Sequence, residues 1–116
     1  MVSVDDVRQI AARLPLAYEV HVRGRLKFRV GRIVFLAFSR DGKVLGFAFP
    51  KEEREWLVGG NPGKFQMPPP ADLRYHWVEV RLDAIDRGEL EELVLDAWRM
   101  VVPKRVAESI AHGASR

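Results

Sequence analysis

Val4, Val7, Ile10, Ala11 and Leu14 recur at helical spacing behind Ser3, and Asp6 stands three residues after Ser3 as in a capping box. Pro15 stops the pattern, so the first predicted element is an amphipathic helix of about three turns. From Tyr18 the period becomes two. Tyr18, Val20 and Val22 alternate with Glu19, His21 and Arg23; after Gly24, Leu26, Phe28 and Val30 alternate with Arg25, Lys27 and Arg29. Gly31 marks a turn or bulge. The run Ile33 to Phe38 is apolar throughout, as in a strand covered on both faces. Asp41-Gly42 supplies a hairpin turn, and Val44 to Phe49 returns as a fourth strand. The pattern is an antiparallel meander.

Pro50 suits a first helical position, and Lys51 to Val58 predicts a short helix ended by Gly59-Gly60, with Trp56 on its core side. Asn61 to Asp72, which holds Asn-Pro-Gly and three consecutive prolines, predicts an extended or looped segment without regular structure. Trp77, Val80 and Leu82 mark a fifth strand. Asp86 caps a long helix whose apolar side carries Leu90, Leu93, Val94, Ala97, Trp98 and Val101; Pro103 kinks or restarts it. The predicted order α-β-β-β-β-α-β-α makes an α+β two-layer sandwich, one antiparallel sheet of about five strands packed on helices. A single domain is expected over residues 1–110, with a frayed tail at 111–116.

The length of 116 residues suits one domain, and 47% apolar with 30% charged residues is an ordinary globular balance. The chain has no cysteine, which excludes disulfides, thiolate metal sites and cysteine nucleophiles. Its first residues show no secretory signal and no apolar run is long enough to span a bilayer, so a cytoplasmic protein without a membrane partner is expected, and a monomer.

Charge adds more when it is placed along the chain. The net charge is only +3, but residues 1–50 hold nine cations against four anions, and 51–116 hold ten against twelve. The excess concentrates in Arg23, Arg25, Lys27, Arg29 and Arg32, with no acid among them. Arg25, Lys27 and Arg29 share one face of one strand. Such a ribbon suits phosphates, because guanidinium forks match phosphate oxygens. The same spacing also describes the solvated outer face of a half-buried sheet, with arginine stems shielding it.

A second group is Arg74-Tyr75-His76-Trp77. An exposed Trp beside His and Tyr suits a stacked base or bound ring; a Trp opening a strand also anchors core edges, its N–H on a loop carbonyl. Catalytic and metal chemistry find less. His21, His76 and His112 have no chelating neighbours, the serines lie in a cap, a turn and the tail, and the glutamates fall on polar helix faces. Gly59 to Lys64 lacks the Ser/Thr and the strand–loop–helix context of a phosphate loop. No cofactor and no catalytic residue is expected.

Phe28-Arg29-Val30-Gly31-Arg32-Ile33-Val34-Phe35, Asp72-Leu73-Arg74-Tyr75-His76-Trp77-Val78, Val80-Arg81-Leu82 and Asp96-Ala97-Trp98-Arg99-Met100-Val101-Val102-Pro103-Lys104 together resemble the MmcQ/YjbR family over about residues 3–107. The resemblance implies an α+β fold likened to the double-wing DNA-binding domain of a phage transcription factor. It implies no catalytic residues. Many members carry a lysine late in the fourth strand; Ala48 stands at the equivalent position here. The expectation is therefore a non-enzymatic domain that binds DNA or another nucleic acid through Arg23, Arg25, Lys27, Arg29, Arg32, Arg74, Tyr75, His76 and Trp77. The alternative is a protein- or small-ligand-binding module that uses the sheet face and the Asn61–Tyr75 loop.

Overall fold

A computed structural model gives the fold and describes residues 2–114, with side chains described through 110. Helix α1 (Val4–Ala11) leads into strands β1 (Ala17–Val22), β2 (Arg25–Val30), β3 (Ile33–Phe38) and β4 (Val44–Ala48). Helix α2 (Arg54–Gly60), a two-residue strand β5 (Phe65–Gln66) and strand β6 (Trp77–Arg81) follow, and α3 (Arg87–Arg99) and α4 (Lys104–Ala114) end the order. The six strands form one antiparallel sheet in the order β1-β2-β3-β4-β6-β5. The two-layer α+β sandwich is the predicted one, with six strands in place of about five.

Local rules account for the frame. Ser3 and Asp6 close a full capping box at α1, and Asp86 with Glu89 closes another at α3. The two-residue loop Arg23-Gly24 joins β1 to β2 with positive φ at both positions (53° and 79°), the geometry that matches strand twist. The sheet's inner face carries a row of apolar side chains, Phe28, Leu36, Phe47 and Val78, set side by side by the register. They pack with Val7 and Ile10 of α1 and Leu90, Val94 and Trp98 of α3 in one core. Trp98 is fully buried, and its indole N–H donates to the Pro15 carbonyl at 2.9 Å. The larger ring therefore enters the core without an orphaned donor.

Several expectations need correction. The extra strand β5 lies within the stretch read as extended or looped; it pairs Phe65 with Val80 and Gln66 with Glu79, and two residues are too few for a period to register. Helix α2 starts at Arg54, not Pro50, and continues through Gly59-Gly60 to a cap at Asn61. Trp56, expected in the core, is 78% exposed. On so short a helix Arg54, Leu57 and Val58 take the inner side, which leaves position 56 facing out. The long helix ends at Arg99, and α4 restarts directly after Pro103, at Lys104. The tail expected at 111–116 falls outside the residues with described side chains. Among the described residues no helix is long and apolar enough to cross a membrane.

Candidate functional site

The sheet's other face holds the chemistry. Strand register places Lys27, Ala37, Gly46, Glu79 and Gln66 in one row across five strands. Ala37 and Gly46 offer almost no side chain, so the row dips between Lys27 and Glu79. Ala48 lies beside Trp77 on the neighbouring row. Ala37 and Ala48 lie in the floor of a cleft of about 730 Å³, and Gly46 lies beneath the Trp77 indole that lines it. Arg25, Lys27 and Arg32 line it on one side; Tyr75, His76 and Trp77 on the other; Asp72, Met100 and Val101 complete it. Two groups that the sequence separates by more than forty residues thus share one space.

The cationic ribbon is divided by the fold. Arg25, Lys27 and Arg32 line the cleft, whereas Arg23 is exposed at the β1–β2 turn and Arg29 lies outside the lining with its Nε buried and unpartnered. β2 keeps its alternation through Arg29, which stays on the Lys27 face opposite Val34, while the ladder to β3 is offset by a bulge between Phe28 and Arg29. Arg25 Nε donates to the Phe38 carbonyl at 2.9 Å, which lays its side chain across β3. Among the described residues none of the five cations has a carboxylate within ion-pair distance. The acids nearest in the pattern are engaged elsewhere: Glu19 with Arg8, and Glu79 with Gln66.

This crowding acts on Lys27. Partial burial holds its ammonium below the usual lysine range, and repulsion from Arg25 and Arg29 adds to the effect; Asp72 opposes it. A cation kept charged at a cost in the free protein is one that an anionic ligand would relieve.

The aromatic side is built by a residue that sequence reading missed. Arg54 is the one buried charged residue among those described, 7% exposed. Its Nη1 donates to the carbonyls of Tyr75 (2.9 Å) and Trp77 (3.1 Å), and its Nη2 donates to that of Leu73. A guanidinium fork is the side chain able to serve three carbonyls that diverge from one point. It fixes the backbone of 73–77 from behind. The sequence signal was weak, because an arginine in a charged helical run reads as solvated.

His76 is fixed as well. Its Nδ1 accepts from the Lys51 N–H at 3.0 Å, which places the imidazole proton on Nε2. That bond takes precedence over an ion pair with Glu52, 3.8 Å away. Tyr75 is half exposed, and Arg74 sits over its ring at 4.8 Å from the centroid instead of lining the cleft. Of the nine residues expected at an interface, six come together; Arg23, Arg29 and Arg74 stand outside.

A meander sheet with a helical layer on one face and an open, cationic and aromatic cleft on the other defines a small α+β domain built to present its sheet. The YjbR family model matches residues 12–100, and the chain belongs to that family. It is similar to the uncharacterized proteins Rv2570 of Mycobacterium tuberculosis and Mb2600 of Mycobacterium bovis. Each is 30% identical over 128 residues, covering 94% of this chain and 95% of the relative. Among solved structures, Deinococcus radiodurans protein DR2400, with a DUF419 domain, superposes with a TM-score of 0.75. That match has 25% identity and covers 86% of this chain and 78% of that one.

Proposed function

We propose that the domain binds nucleic acid through this cleft, without catalysing a reaction on it, and that Arg25, Lys27 and Arg32 meet the phosphates. The observation that carries the reading is the meeting of three cations that form no ion pair among the described residues with Tyr75, His76 and Trp77 around one space. Phosphate contact supplies affinity, and ring faces add stacking.

Three phosphate contacts give a logarithmic salt slope of about −2.7 on a duplex and about −2.1 on a single strand, which is a roughly 20- to 40-fold loss between about 50 and 200 mM salt. Five contacts would give about −4.5 on a duplex. Anisotropy titrations of a labelled oligonucleotide across that range test it. A slope near zero, or binding that is unaltered when Arg25 and Lys27 become Ala, rejects the reading.

A second reading is supported by the cleft's size. About 730 Å³ falls within the range of pockets that enclose small molecules. A small anionic ring compound would use the same residues, and its binding would compete with the oligonucleotide.

A further inference from the structure

The cleft contains a carboxylate that phosphate binding alone does not account for. Asp72 ends a short 3₁₀ turn, Pro70–Asp72, directly ahead of the segment held by Arg54. It lines the cleft with the three cations, yet among the described residues it forms no ion pair. For phosphate it is a liability, because it repels the anion that its neighbours attract. For a base it is an asset. A carboxylate only accepts, so it favours an exocyclic amino group and repels a carbonyl oxygen at the same ring position.

Strand pairing decides the form of the ligand. In a duplex the base faces are stacked on one another and the Watson–Crick amino groups are already bonded, so Tyr75, Trp77 and Asp72 would gain little. An unpaired base offers both its face and its edge. The cleft gathers cations, rings and an acceptor, the groups that suit the three parts of a single nucleotide: phosphate, base face and base edge.

We propose that the cleft receives one unpaired nucleotide of a single strand. Its phosphates lie on Arg25, Lys27 and Arg32, its base lies against Tyr75 and Trp77, and the Asp72 carboxylate selects amino-bearing bases such as cytosine over thymine and uracil. The proposal rests on the nucleic-acid reading above and adds strandedness and base preference to it.

The test uses labelled oligomers of deoxycytidine and of deoxythymidine, about ten nucleotides long, and a mixed-sequence duplex of the same length. The deoxycytidine strand should bind about tenfold more tightly than the deoxythymidine strand, as one hydrogen bond to a charged acceptor allows. The duplex should bind more weakly than either. Asp72→Asn should bring the two strands to within about twofold by strengthening the deoxythymidine complex, since its amide can also donate to a carbonyl. Tyr75→Ala should weaken both single strands and leave the duplex unchanged. Equal binding of the two strands, a preference that survives in Asp72→Asn, or a duplex bound as tightly as a single strand overturns the proposal while leaving nucleic-acid binding in place. Absence of binding to all three at about 50 mM salt overturns both. Matching melting temperatures for Asp72→Asn and the parent would exclude misfolding as the cause.

Discussion

The indole of Trp77 lies across Gly46: a Cβ added at Gly46 would stand 2.6 Å from the indole Nε1 and 2.7–2.8 Å from two adjoining ring atoms. This is a close approach, not a turn, since Gly46 sits mid-strand in β4, diagonal to Trp77 on β6. The missing side chain lets the ring lie down on the sheet and form part of the cleft. Gly46→Ala should therefore displace the indole at a cost of about 1–3 kcal/mol. A melting temperature lowered by several degrees, together with weaker oligonucleotide binding, is the expected pair of results. An unchanged melting temperature would show that the ring moves freely.

Arg54 holds the carbonyls of Leu73, Tyr75 and Trp77 from inside the fold. Arg54→Met keeps much of the stem and removes every donor, leaving carbonyls short of partners. We expect destabilisation of about 3 kcal/mol and loss of single-strand binding with it. Arg54→Lys should recover only part of either, because an ammonium cannot fork. Thermal denaturation and anisotropy on both variants check this.

Lys27 carries a trade between stability and binding. Its folded-state pKa is lowered, chiefly by burial, so the charged form is disfavoured in the folded state. The cost is fully present below the folded pKa and disappears as pH rises through it toward the unfolded value near 10.5. Stability should thus gain from Lys27 across the alkaline range. Lys27→Met should melt slightly higher at neutral pH, by up to about 0.5 kcal/mol, lose that alkaline gain, and bind oligonucleotide less well. A variant that melts lower would contradict the account.

Arg23 serves as the control. It occupies the left-handed region at φ 53° in the β1–β2 turn and does not line the cleft. Asparagine tolerates that conformation better than a long side chain does. Arg23→Asn should raise stability by roughly 0.5 kcal/mol and leave the salt slope of binding unchanged. A slope reduced by about one would mean that Arg23 does contact phosphate.

Much of the frame was legible because it rests on local rules. The Ser3 and Asp86 caps, the Asp41-Gly42 hairpin and the alternation in β1 and β2 are each written in a few adjacent residues. What was not legible depends on partners far along the chain. Arg29 keeps the face that the alternation assigns it, yet its Nε is buried and it does not line the cleft, which only the packing around it reveals. Trp56 had helical spacing but no core to face, since α2 buries Arg54 toward the 73–77 carbonyls. Both halves of the site were visible as separate patches. Their meeting depends on β6 inserting beside β4, and on Ala37, Gly46 and Ala48 lying low between them. Small residues in apolar strands carry no signal of a cleft until the neighbouring strands are known.

A titration of ¹⁵N-labelled protein with the deoxycytidine oligomer, followed by amide and indole shifts, tests the central claim most directly. Perturbations gathered on Lys27, Ala37, Gly46, Tyr75 and the Trp77 indole are the predicted result, with β1 and α1 silent. Shifts centred on the β1 edge or the helical face, or none at saturating oligomer, would contradict it.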